Sequence, residues 1–264
     1  MKRVTFLLFA ATIFFTSCEK VIDVQLENNE QKLVIDAVLT DEEGGCMVRL
    51  SQTKHFSESN VFRGLSDATV TISDPTGNVF ALLEEESGIY RHPTLKGTSN
   101  TTYSLNIEVL GKTYKAVSTM PQKVSLDSLH VQRQQFFDEE ETFAHVTFQD
   151  PVAIKNHYRF KQFVNGKKLE GNFIMDDELS DGKQFQSTLY IFPEEDDTIK
   201  TGDEISVEMQ CIDKAVYKYW YSYDQSATGS SQSAAPANPV SNIDGGALGY
   251  FSAHTVEVKK IYVP

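Results

Sequence analysis

The chain of 264 residues is short of several things. It has three cysteines, too few to staple a disulfide scaffold. Basic residues are the minority, 24 Lys and Arg against 37 Asp and Glu, for a formal charge of −13. That excess of acid argues against nucleic acid as a partner, because phosphate binding needs a basic face. Long hydrophobic runs are missing: one apolar stretch, Val4 to Phe15, stands out, and it is too short to cross a bilayer core as a helix. Sequence signatures of catalysis are also missing. There is no H-E-x-x-H, no C-x-x-C, no G-x-x-x-x-G-K and no G-x-S-x-G. The six histidines (His55, His92, His130, His145, His157 and His254) include no pair at metal-ligand spacing on one helix or tight turn. What remains is ordinary globular composition, 40% hydrophobic and 23% charged, which excludes disordered, collagen-like and coiled-coil readings.

The apolar stretch carries a meaning of its own. Lys2 and Arg3 precede it, and Thr16-Ser17-Cys18 follows it, with small residues directly before a cysteine. This is the layout of an export signal, and it looks like the lipobox of bacterial lipoproteins. In a lipobox the cysteine thiol is joined to diacylglycerol and the chain is cut before it. An ordinary secretory signal with a chance cysteine is the bland alternative. The expected organisation is therefore a signal peptide over 1–17, lipidation at Cys18 and a tether over 18–31. An edge strand through Val21, Ile22 and Val24 is the other reading of that tether. Removing 1–17 takes two of the 24 basic residues and no acid, so the mature charge falls from −13 to −15. Cys46 and Cys211 remain; they read as buried free thiols, with a bridge between the two halves of the chain as the alternative.

The body reads as β. Lys32 to Leu39, Cys46 to Leu50, Ala68 to Ser73, Val79 to Leu83, Gly88 to Tyr90, Thr102 to Val109 and Lys112 to Val117 read as strands, mostly with period two. Turn residues such as Asp74-Pro75-Thr76-Gly77-Asn78 separate them. The pattern predicts an immunoglobulin- or transthyretin-like β-sandwich over 32–122. A second mainly β domain is expected over 123–264, so the fold class is two packed antiparallel β-sandwich-like domains. Its expected strands are Ser125 to Val131, Thr142 to Phe148, Tyr158 to Val164, Phe173 to Met175, Ser187 to Phe192 and Glu204 to Cys211. Asn165-Gly166 marks a hairpin. One helix is predicted near 213–227, capped by Asp213, with Val216, Tyr219, Trp220 and Tyr223 at helical spacing. Those aromatics read as core in preference to a ligand platform. The chain is expected to finish with Gly249 to Ser252 and Val256 to Val263 as strands.

Three acidic clusters, Asp138 to Glu141, Asp176-Asp177-Glu178 and Glu194 to Asp197, have the chemistry for Ca²⁺. None has an EF-hand loop, and consecutive carboxylates on a strand diverge, so they read as solvated loops and no metal site is assigned. No catalytic or cofactor residues are assigned either. The stretch from Pro236 to Phe251 contains the one candidate ligand loop: Asn242, Gly245 and Gly246 could shape a backbone nest. The competing reading is a connector that delivers Tyr250-Phe251 into the core.

The same stretch brings a resemblance into view. Asn238-Pro239-Val240-Ser241-Asn242-Ile243, taken with Ser17-Cys18-Glu19-Lys20, Leu33-Val34-Ile35, Ala68 to Ile72, Gly88-Ile89-Tyr90, Tyr103-Ser104-Leu105, Met120-Pro121, Asp176-Asp177-Glu178, Gly202-Asp203 and Tyr217 to Tyr221, resembles domain-of-unknown-function family 4249. That family consists of Gram-negative envelope lipoproteins often encoded beside TonB-dependent outer-membrane transporters. The resemblance implies a lipid-anchored, surface-facing outer-membrane protein. It carries no catalytic residues with it. The expected role is a non-enzymatic binding or accessory component of nutrient uptake, with the membrane and a TonB-dependent transporter as partners, an unidentified ligand, and no cofactor besides the covalent lipid. A structural or adhesive surface protein is the alternative, and an envelope hydrolase the third.

Overall fold

The computed structural model describes residues 31–54, 61–136, 139–191, 199–227 and 238–264. The expected signal, Cys18 and the tether up to residue 30 lie outside these residues, as do Asp138 and the Glu194 to Asp197 cluster. Among the described residues no helix is long and apolar enough to cross a membrane. Residues 31–264 form one compact unit.

The first core is built by alternation. β1 (Leu33–Thr40) turns Leu33, Ile35, Ala37 and Leu39 inward and leaves the residues between them half-buried. β2 (Cys46–Gln52), β3 (Thr69–Ser73), β4 (Val79–Glu86), β5 (Ile89–His92), β6 (Thr101–Val109) and β7 (Lys112–Met120) follow. β4 serves two partners. Residues Val79 to Leu82 pair with β3, and beyond them Leu83 to Glu86 pair with β5 across an irregularity at Glu84/Glu86. Two sheets thereby face each other over one core that includes Ile35, Val48, Ile72, Leu105, Ile107 and Phe251.

The second core lies between the long hairpin of β8 (Leu126–Phe136) and β9 (Glu139–Gln149) and a second sheet. That sheet contains β10 (His157–Val164), β11 (Lys167–Lys168), β12 (Phe173–Asp176) and β14 (Glu204–Ile212), while β13 (Gln184–Leu189) joins β9. Asn165-Gly166 forms the anticipated tight turn, with φ of 49° and 81°. Two expectations need correction here. Glu139 to Glu141 belong to β9, paired with Phe136 to Gln134, because the hairpin extends well beyond its apolar part. The strand expected over Ser187 to Phe192 runs over Gln184–Leu189.

The helix is α1 (Lys214–Ala227), one residue inside its expected limits. After it come β15 (Ile243–Asp244) and β16 (Leu248–Tyr262). β16 is a single strand of 15 residues, where two strands were expected. Leu248 to His254 run parallel to β1, and Thr255 to Tyr262 run antiparallel to β14. One strand thus belongs to both cores. β15 and the first half of β16 fall in the 123–264 range by sequence but pack with the first core. Gly249 sits at the start of this strand with φ +98°, opposite Ile35, and a Cβ there would come 1.8 Å from the Ile35 carbonyl oxygen. Only glycine permits that approach.

Candidate functional site

A cleft of about 450 Å³, lined mostly by polar and charged residues, opens where the two sandwich cores meet. Asn100, Thr119, Pro121 and Gln122 line it from the first core; Ile154 to His157, Asp176 to Glu178, and Asp213, Lys214, Tyr217 and Lys218 line it from the second. Its shape depends on Asp213. One carboxylate oxygen accepts the Val216 amide at 2.8 Å, which caps α1, and the other accepts Ser118 Oγ at 2.6 Å and the Thr119 amide at 3.0 Å. Ser118 Oγ in turn accepts the Ala253 amide at 2.9 Å. The helix start, β7 and β16 are tied through one carboxylate and one buried hydroxyl.

Within the cleft the His157 ring lies 4.9 Å from that of Tyr217, and the Tyr217 hydroxyl donates to Asp176 at 3.3 Å. Burial holds the imidazole of His157 below its ordinary range, against the opposing charges of Asp177 and Asp176. Burial also pushes the Tyr217 hydroxyl up, helped by Asp176. The lining thus offers ammonium groups, carboxylates and an aromatic face, a set suited to a polar, zwitterionic or hydroxyl-rich ligand.

Behind one wall lies a second feature. Asp150, Asp177 and Asp181 bring carboxylate oxygens within 4.8 Å of one another. Asp150 follows β9 and is 1% exposed; Asp177 follows β12 and is 5% exposed; Asp181 is exposed. The Ser180 and Asp181 amides both donate to the Asp177 carbonyl, at 2.9 and 3.0 Å, closing one helical turn. That turn folds Asp177 back onto the 150–156 loop, where the Asn156 amide donates to its carboxylate at 2.7 Å. The solvated-loop reading of Asp176-Asp177-Glu178 therefore fails for its middle residue, while Glu178 is exposed. Val152, Ile154 and Leu179 stand out on the same two loops, with Leu179 90% exposed.

The other candidates fall elsewhere. Asn242 donates to the Phe251 carbonyl at 2.8 Å and accepts the Phe251 amide at 2.9 Å, so its side chain pairs with β16 as a strand would. Gly245, with φ +102°, passes close to the Thr113 carbonyl, and Gly246 is exposed with open space around it. None of the three lines the cleft. Val216 anchors α1 on Ile212 and Tyr250, with Tyr219 and Trp220 packed alongside, and the Arg159 guanidinium stacks 3.5 Å from the Trp220 ring centroid. Cys46 and Cys211 are free and buried, one in each core. His130 and His145 are cross-strand neighbours with ring centroids 4.4 Å apart, a pairing no linear spacing could show.

Comparisons with known proteins follow the same lines. A family model described as a domain of unknown function (DUF4249) matches residues 19–260. No curated protein matches. Among solved structures, a two-domain fibronectin type III segment of chicken tenascin is similar at 13% identity and a TM-score of 0.23, covering 69% of this chain and 91% of that one. A likeness that distant carries no functional argument.

Proposed function

The chain belongs to the DUF4249 family, whose description brings no activity with it, and we propose that it is a non-enzymatic binding component of the bacterial envelope, held at the outer membrane by lipid on Cys18 and accessory to a TonB-dependent uptake system. The observation that carries this reading is the cleft lined by residues of both sandwich cores, fixed in shape by Asp213. The Ser17-Cys18 lipobox and the family resemblance supply the location and the transporter. Lipid anchoring confines the domain beside its partner and raises their effective concentration.

A hydrolase finds less support. Ser252 Oγ and His254 Nδ1 lie 2.8 Å apart, half of a nucleophile pair, but they are only 2% and 3% exposed. Lys161 and Arg159 act on His254 where a triad would need a carboxylate.

The test is crosslinking in intact cells followed by affinity capture. Recovery of an outer-membrane transporter, reduced by Lys218→Glu at the cleft rim, is the expected result; repeated capture that recovers no transporter refutes the reading. The structural or adhesive alternative draws on the exposed Val152, Ile154 and Leu179. A deletion strain that loses attachment while uptake is intact would favour it.

A further inference from the structure

We propose that Asp150, Asp177, Asp181 and Ser180 form a binding site for a calcium-type divalent cation. Three carboxylates brought within 4.8 Å, two of them buried, repel one another in a poorly hydrated site. Among the described residues no Lys, Arg or His forms an ion pair with any of them, and the nearby Lys183 ammonium donates instead to the Leu179 carbonyl at 3.3 Å. Neutral donors cover part of the need. The Tyr158 hydroxyl and the Gly182 amide reach Asp150, the Asn156 amide reaches one oxygen of Asp177, and the Ala153 amide reaches one oxygen of Asp181. The second oxygen of Asp177 and of Asp181 is left for another partner.

Ser180 supplies the independent observation. It is 7% exposed, and its hydroxyl is buried without any hydrogen-bond partner. A buried hydroxyl left unmatched is costly, and native structures seldom leave one so. The helical turn closed by the Asp177 carbonyl puts residues 177, 180 and 181 on one face, since positions three and four apart are neighbours. Ser180 therefore springs from the same face of the turn as both carboxylates.

The donor set names the ion. Every donor is oxygen, which selects a hard cation over zinc or copper. Three carboxylates call for a divalent one. Ca²⁺ holds six to eight oxygens at about 2.3–2.6 Å in irregular geometry, so oxygens no more than 4.8 Å apart fall within reach of one ion. Mg²⁺ demands a near-ideal octahedron at about 2.0–2.1 Å, which carboxylates carried on two separate loops meet less readily. Backbone carbonyls and water complete a shell of six to eight. The bound ion would tie the 150–156 loop to the 177–182 turn, and both contribute to the wall of the cleft. The proposal stands apart from the transporter reading.

The experiment uses the purified protein stripped with EDTA and titrated with CaCl₂, with MgCl₂ in parallel, by calorimetry and thermal melting. One ion per chain is expected, with a midpoint rise of about 5–10 °C at saturating calcium and a smaller one with magnesium. Asp181→Asn, at an exposed position, should fold normally and weaken calcium binding at least tenfold, and Asp177→Asn should abolish it. In EDTA, Asp181→Asn should melt no lower than the parent, because it removes repulsion. Identical midpoints in CaCl₂ and EDTA with no heat of binding would overturn the proposal. So would calcium affinity unchanged in Asp181→Asn, or magnesium binding as tightly as calcium.

Discussion

Acidification should destabilise this protein through His254 in a window that a single substitution can isolate. The imidazole is 3% exposed, with its Nδ1 2.8 Å from Ser252 Oγ. Lys161 and Arg159 from β10 add positive charge, and Lys161 is itself paired with Glu208 of β14 at 2.9 Å. Burial first, and those two cations second, push the pKa of His254 down from 6.5 to about 3. Well above pH 6.5 the ring is neutral in both folded and unfolded chains and contributes no slope. As the pH falls from 6.5 toward 3, the unfolded chain takes up a proton that the folded chain refuses. Stability is then lost at up to about 1.4 kcal/mol per pH unit, roughly 3 kcal/mol by about pH 4. The assay is urea unfolding of the parent and of His254→Asn at steps from about pH 8 to about pH 4. Carboxylates titrate alike in both proteins, so the difference between the curves reports His254. Parallel curves for the two proteins, or an imidazole that titrates near its ordinary value in the folded state, would refute the reasoning.

Three further outcomes follow from individual contacts. Gly249→Ala places a methyl group 1.8 Å from the Ile35 carbonyl at φ +98°, and should cost roughly 3 kcal/mol or more; an unchanged melting midpoint would mean that β16 does not approach β1 as described. Asp213→Ala removes the cap of α1 and strands the Ser118 hydroxyl and Thr119 amide, for a loss of roughly 2–3 kcal/mol, and Asp213→Asn should recover part of it. Cys46, its thiol pushed up to about 12 by burial, and Cys211, also pushed up by burial, should resist a thiol reagent at neutral pH and both react once the chain is denatured; silence after denaturation without reductant would reveal a bridge.

Much of the fold is legible along the chain because strand burial is periodic. Leu33, Ile35, Ala37 and Leu39 announce β1, the Asn165-Gly166 pair announces its turn, and Asp213 announces the helix it caps. Two features defeat this kind of reading. β16 is buried on both faces from Gly249 to Val256, so its alternation disappears where it matters most, and its polar members Ser252 and His254 resemble a break between strands. In β9 the acidic residues Glu139 to Glu141 look like a loop, because a hairpin held by backbone bonds can run on where it has no core to face.

The candidate site divides in the same way. Asp176-Asp177-Glu178 stood out by charge, yet only Asp177 turns inward, and its companions Asp150 and Asp181 carried no distinguishing context. The polar use of Asn242 is local to its pairing with Phe251, and a loop rich in glycine could not show whether that geometry served a ligand or the chain itself.

The sequence by itself determined the β character, the strand order of the first sandwich, the helix and its cap, and the family, because each depends on short-range periodicity, turn chemistry or ordered motifs. Tertiary structure alone decided that β16 joins two cores, that a cleft opens between them, and that three aspartates meet. Those depend on which residues distant in sequence are brought together, and no short-range pattern encodes the folding of the 177–182 turn onto the 150–156 loop.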